Sequence, residues 1–199
     1  MKIIVVGGTG TIGNEVVREL EKRHEIIVVA HSHGDILADI TDPTSIEKMY
    51  KSVGKFDALV ATTGKLVFAD LAEMTVEKYQ IGLNSKLMGQ VNLVLLGSQY
   101  INDHGSFTLT SGILSQDPIR YGSSASMVNA AINGFVIGAA IELPRGIRIN
   151  AVSPTVITES METYADYFRG FIPVAAERVA AAYSKSVEGL QTGKVYDVI

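Results

Sequence analysis

The chain has 199 residues, 47% of them hydrophobic and 19% charged, with a formal net charge of −4 and no cysteine. That length suits one well-packed domain, the missing cysteines exclude disulfides and thiol catalysis, and the acidic balance carries no electrostatic footprint for nucleic acid. No apolar run reaches the roughly 18 to 20 residues of a membrane-spanning helix, and a strand beginning at Lys2 leaves no room for a secretory leader, so a cytoplasmic protein with neither membrane nor nucleic-acid partners is expected.

In chain order, the apolar run Lys2–Val6 enters Gly7-Gly8-Thr9-Gly10-Thr11-Ile12-Gly13 and then the amphipathic stretch beginning Asn14-Glu15-Val16-Val17. This reads as a buried strand, a glycine turn and a helix. Gly8, Gly10 and Gly13 spell G-x-G-x-x-G. Glycines at that spacing let the backbone approach a pyrophosphate, while the following helix offers free N–H groups and the positive end of its dipole. A dinucleotide held by Gly7, Gly8, Thr9, Gly10, Thr11, Ile12 and Gly13 is the expectation. Further strands are predicted at 25–31, 36–39, 58–62, 106–110, 148–153 and 194–198. Helices are predicted at 11–22, 43–52, 76–100, 125–143 and 176–188, the second opened by Asp42 as N-cap with Pro43 behind it. Apolar strands alternating with helical patterns imply βαβ units, hence an α/β, doubly wound parallel sheet of about seven strands with helices on both faces.

The second and third strands are joined by His31-Ser32-His33-Gly34-Asp35, too short for a helix. NAD-binding units place an acidic residue at the end of the second strand, about 20 positions past the glycines, to accept hydrogen bonds from the ribose. Here the stretch reads Ala30-His31-Ser32-His33. With no carboxylate to repel a 2′-phosphate, Ser32 and His31 can receive one, which favours NADP(H) over NAD(H). Solvated loop histidines are the other reading of His31 and His33.

At this point the chain resembles the short-chain dehydrogenase/reductase superfamily, nearly end to end. The glycine turn is similar to the family's cofactor turn, Asp39 in Leu37-Ala38-Asp39-Ile40 to its adenine-contacting aspartate, and Thr62-Thr63-Gly64 to its Asn-Ala-Gly segment. Ile81-Gly82-Leu83-Asn84 resembles the helix carrying the catalytic-relay asparagine. Gly146-Ile147-Arg148-Ile149-Asn150-Ala151-Val152-Ser153-Pro154 resembles the sixth-strand block. The resemblance implies a Rossmann-like domain over 1–199, a nicotinamide cofactor, and hydride transfer to or from a small carbonyl or alcohol substrate. It also implies cofactor contacts from Asp39, Thr62, Gly64, Pro154 and Thr158.

The family's chemistry rests on Tyr-x-x-x-Lys with a serine upstream. Counting back from Glu142, the lysine position is Asn129, the tyrosine position Ala125 and the serine position Gly112. Ala125 transfers no proton, and Asn129 carries no charge, although its amide can still hydrogen-bond a ribose hydroxyl. Losing a positioned general acid costs about 10²- to 10⁴-fold in rate. Ser111, Tyr121 and Asn84 are the candidate replacements, Tyr121 with the alternative of a turn tyrosine and Asn84 with that of a satisfied helix-interior amide. Lys65, just after the fourth strand, and Lys86, two residues beyond Asn84, are weaker candidates to point toward the cleft, with solvated lysines the favoured reading of both.

Tyr164, Tyr167, Phe168 and Phe171 fall where the family keeps a substrate lid and suit an apolar or planar substrate; covering the core or a subunit contact is the other reading. No His, Asp or Glu cluster has metal-ligand spacing, so no metal is expected. The helices around Val91–Leu96 and Met127–Ala139 are apolar over much of their surface. A homodimer or homotetramer is therefore expected. Two functions remain: an NADP(H)-binding oxidoreductase with a non-standard proton donor, or a catalytically inactive NADP-binding sensor or scaffold.

Overall fold

Runs such as Ile3-Ile4-Val5-Val6 and Ala58-Leu59-Val60-Ala61 are apolar on both faces, and such strands are stable only in the middle of a covered sheet. In the computed structural model, which describes all 199 residues, they lie at its centre. The strands are β1 (Lys2–Val6), β2 (Glu25–Ala30), β3 (Ile36–Leu37), β4 (Phe56–Ala61), β5 (Ile101–Thr110), β6 (Arg148–Pro154) and β7 (Val195–Val198). They form one parallel sheet in the order β3-β2-β1-β4-β5-β6-β7. The order reverses between β1 and β4, the switch point at which such sheets open a crevice beyond the strand carboxyl ends.

The helices are α1 (Thr11–Leu20), α2 (Pro43–Val53), α3 (Val76–Gly82), α4 (Gly89–Gly97), α5 (Ser123–Ala139), α6 (Met161–Tyr164) and α7 (Ala176–Glu188). On one face α2, α4 and α5 bury Tyr50, Leu93, Val128, Ile132 and Val136 against Ile4, Leu59, Phe107 and Ile149. On the other, α1 and α7 bury Val16, Leu20, Val179 and Tyr183 against Ile3, Val5, Ala58 and Val60. The Asp42 carboxylate accepts from the Thr44 N–H at 2.9 Å, as the predicted cap requires. No helix is long and apolar enough to cross a membrane.

The seven strands and the glycine-turn helix stand where the sequence places them, with ends shifted by a few residues. Three differences have physical causes. The strand expected at 36–39 keeps only Ile36–Leu37: the Ala38 N–H still donates to Ala30 O at 3.0 Å, but from Asp39 the chain turns into a loop in which Asp39 bonds to Thr41 and Ser45. The strand expected at 106–110 starts at Ile101, extended through a register shift opposite Phe56 and Ala58.

The helix expected at 76–100 is broken. Between α3 and α4 the chain makes one π turn, Leu83–Met88, and the Lys86 carbonyl accepts from Gln90 Nε2 at 3.0 Å. Gln90 is fully buried. Its Nε2 also donates to Thr110 O at 3.0 Å, and its Oε1 accepts from Thr110 N at 2.7 Å. A side chain inserted into the helix ladder widens it by one residue per turn, and here it ties the bulge to the end of β5.

Candidate functional site

At the end of β1 the chain turns through Gly7, whose φ of 85° is costly for any side-chain-bearing residue. Its N–H donates to Val29 O at 2.7 Å, and its carbonyl accepts from Gly10 N at 3.0 Å and Thr62 Oγ1 at 3.1 Å. A Cβ on Gly13 would lie 2.1 Å from that same Gly7 oxygen, so α1 abuts the turn as closely as backbone allows. Gly10 precedes α1 and offers no capping side chain. The first N–H groups of the helix are therefore left for solvent or a ligand.

These N–H groups border a cleft of about 650 Å³ along the carboxyl ends of β1, β2 and β4. Among the expected cofactor residues, Gly7, Thr9, Gly10, His31, Ser32, Asp39, Thr62 and Gly64 line it, and Asn84 joins them. Asp39 Oδ1 accepts from Thr41 Oγ1 at 2.7 Å and Thr41 N at 2.8 Å. These bonds, the hydroxyl's first, hold its carboxyl below the usual range, leaving an ionised acceptor on the cleft wall.

The remaining expected cofactor residues sit elsewhere. A Cβ on Gly8 would meet Val28 Cγ1 at 2.9 Å, so Gly8, like Gly13, serves close packing and does not line the cleft wall. Ile12 points its side chain into the α1–α7 core, while Thr11 is exposed at the helix start. Pro154 is buried in register with Val198. Thr158 has its side chain exposed, and its N–H donates to Val174 O at 2.8 Å. Its neighbour Glu159 is a helix cap, its carboxylate accepting from Ala176 N at 3.0 and 3.2 Å at the start of α7.

Beyond β4, where the reacting groups are expected, Ser111 Oγ donates to Asn129 O at 3.1 Å and is buried. A Cβ on Gly112 would stand 2.8 Å from Asn129 Nδ2, so Asn129 does occupy the corner beside β5. Asn129 Oδ1 is buried and has no partner. Ala125 is only 1% exposed and packs with Leu114, Val156 and Phe168 in a small apolar cluster, joined by Ile119, Tyr164 and Phe171. Tyr121 has a φ of 68° and lines a separate depression of about 410 Å³ with Ala69, Pro118, Ile119 and Gly122. Its ring meets Tyr167 edge-on at 5.9 Å and lies 4.6 Å from the Arg120 guanidinium. Of the three candidate donors, Asn84 is exposed on the cleft wall, Ser111 is buried against Asn129, and Tyr121 lies in the separate depression, so they are not gathered at one point.

Sequence reasoning ranked one residue here too low. Lys86, read as solvated, is half-buried, and its Nζ donates to Ser111 O at 3.1 Å. Burial lowers its pKa to about 8. A solvated lysine and a buried one look alike in the sequence. The signal lies in the two glycines bracketing the π turn and in Gln90 one turn on, which matter only once β5 is in place.

The family model described as enoyl-(acyl carrier protein) reductase matches residues 6–189. An uncharacterized oxidoreductase of Methylorubrum extorquens is 24% identical over 185 residues, covering 80% of this chain and 75% of the relative. The L-xylulose reductase of Mesocricetus auratus is 25% identical over 178 residues, covering 80% and 73%. Among solved structures, a protein of Listeria innocua is 52% identical over the full length of both chains, with a TM-score of 0.99. A small-chain dehydrogenase solved in complex with NADPH is 28% identical, with a TM-score of 0.89, covering all of this chain and 96% of that one.

Proposed function

Because the chain belongs to the short-chain dehydrogenase/reductase superfamily, we propose that it binds NADP(H) and exchanges hydride with a small carbonyl or alcohol substrate through a non-standard proton donor. The observation that carries this reading is the cleft: a tight glycine turn, a free helix N-terminus, an ionised Asp39 and the Thr62–Gly64 wall share one crevice at the strand-order switch point. When bound there, the cofactor supplies or accepts the hydride. The protein's own part is to hold the pyrophosphate on the N–H groups behind Gly10, the adenosine against Asp39, and a 2′-phosphate at Ser32 and His31. No carboxylate projects from Ala30-His31-Ser32, which favours the phosphorylated cofactor. The NADPH-bound small-chain dehydrogenase supports the same choice.

The proton passes through a residue other than Ala125, and Tyr121 is the phenol nearest to it in sequence. The aromatic group of Phe68, Tyr164, Phe168 and Phe171, with ring centroids 5.2 to 6.5 Å apart in successive pairs, suits an apolar or planar substrate. Exposed Leu95 on α4 and Ile137 on α5 are proposed to pack against a second copy of the chain.

A second reading draws on Ala125. The proton-donor position is sealed beneath the Leu114–Phe168 cluster, which suits a protein that binds NADP(H) and reports its occupancy without turnover. Titration with NADPH and NADH, followed by a carbonyl screen for NADPH consumption, separates the two. Tight NADPH binding with turnover supports the reductase, and tight binding without turnover supports the sensor. No binding refutes both.

A further inference from the structure

The superfamily resemblance implies an ammonium group at position 129, and Asn129 is uncharged. A different ammonium reaches the same corner. Lys86 lies on the π turn, with its backbone carbonyl held by the buried side chain of Gln90. Its stem crosses the last residue of the Thr62–Gly64 wall so closely that a Cβ on Gly64 would meet Lys86 Cα and Cβ at 2.6 Å and Cγ at 2.7 Å. Gly64, with φ of 130°, thus leaves the lane along which the lysine extends.

The stem ends with Nζ on the carbonyl of Ser111, whose hydroxyl bonds to Asn129. No carboxylate pairs with it. An ammonium has three donors, and one is used. A half-buried cation without a counter-ion is costly unless a ligand or solvent completes its shell. Single π turns inside α-helices recur at functional sites.

Position along the cleft decides which part of a dinucleotide Lys86 can meet. The adenosine end is set by β2 and by Asp39, on one side of β1. Lys86, next in the chain after the cleft-lining Asn84 and Ser85, stands on the other side, against Gly64 beyond the end of β4 and Ser111 beyond the end of β5. Resting on the proposed cofactor reading, the geometry points to Lys86 as the cation of the nicotinamide end, its two remaining N–H donors receiving the ribose hydroxyls there. The charge missing from α5 at Asn129 is supplied from the π turn between α3 and α4.

Lys86→Met keeps the stem and removes the charge. Wild type and variant are titrated with NADPH and with adenosine 2′,5′-bisphosphate, which carries the adenosine end without the nicotinamide ribose. The expected result is a loss of about tenfold or more in NADPH affinity, the scale of a charge-assisted hydrogen bond, with bisphosphate affinity unchanged. Unchanged NADPH affinity, or an equal loss for both ligands, overturns the assignment and leaves the cofactor reading intact. A wild-type chain that binds neither ligand refutes the cofactor reading and this assignment with it. A second measurement needs no variant: reductive dimethylation of wild-type protein, read by peptide mass spectrometry. Lys86 is expected to be labelled in the free chain, protected by NADPH and not by the bisphosphate. No labelling in the free chain, or equal labelling with both ligands, overturns the assignment.

Discussion

Replacing Gly13 with alanine tests whether the turn is built for close approach. The added Cβ would lie 2.1 Å from Gly7 O, 2.8 Å from Gly8 Cα and 2.9 Å from Gly7 C, all backbone atoms that no rotamer change can clear. Nonbonded heavy atoms settle at about 3.5 Å or more, so α1 and the turn must part by over an ångström. Overpacking of this kind costs about 2–3 kcal/mol. For a chain of this size that lowers Tm by about 4–12 °C.

Gly10→Ala is the matched comparison. Its Cβ would sit 3.4 Å from Gly7 O, an ordinary contact, and its φ of −79° and ψ of 171° suit any residue. Its stability should fall by less than about 1 kcal/mol. Because Gly10 lines the cleft and Gly13 does not, the Gly10 methyl should weaken NADPH binding while leaving Tm nearly unchanged. Thermal unfolding by circular dichroism and NADPH titration by fluorescence read both effects. A Gly13→Ala chain with wild-type Tm and wild-type affinity, or two variants that behave alike, would refute the reasoning.

Tyr121→Phe should abolish NADPH consumption on any substrate found in the carbonyl screen while leaving NADPH affinity within about twofold of wild type, the phenol lying outside the cofactor cleft; unchanged turnover removes Tyr121 from the mechanism. Glu188 joins the end of α7 to the turn after α1 through Arg23 at 2.8 Å, His24 at 2.8 Å and Ser184 at 2.8 Å. Arg23 foremost, then Ser184 and His24, depress its pKa to about 2. A depressed carboxylate stabilises the fold above its unfolded pKa and ceases to do so as pH falls through the folded value. Glu188→Gln should therefore cost about 1 kcal/mol at neutral pH, modest because the pair is partly exposed, and its gap from wild type in denaturant melts should close as pH falls from about 4.5 towards 2; a gap independent of pH contradicts this. Leu95 and Ile137 are 60% and 58% exposed on α4 and α5. Leu95→Glu with Ile137→Glu should shift sedimentation from dimer to monomer, and a wild-type chain that sediments as a monomer at all concentrations removes the contact.

Period and punctuation in the sequence were sufficient for the parallel α/β sheet, because strands covered on both faces must be apolar throughout and the segments between them carry helical spacing. The glycine turn was legible for a related reason: Gly7 and Gly13 answer backbone constraints within a few residues of one another, so their spacing carries the geometry. Asp39, Thr62 and Gly64 were found through resemblance, and the cleft does bring them together.

The parts left to the tertiary structure depend on contacts between distant segments. The break in the 76–100 helix requires Gln90 to meet Thr110 at the end of β5, and nothing local to the helix announces a partner 20 residues away. Lys86 follows from that break. Read along the chain it is one more lysine near a helix, and only the packing of Gly64 and the Ser111 carbonyl gives it a lane, a depth and an unpaired charge. The burial of Ala125 likewise comes from Leu114, Val156 and Phe168, which converge on it from three separate stretches of the chain. Local spacing thus determined the scaffold and the glycine turn, while the lane that carries Lys86 past Gly64 to the Ser111 carbonyl was decided by groups that meet only when the sheet closes.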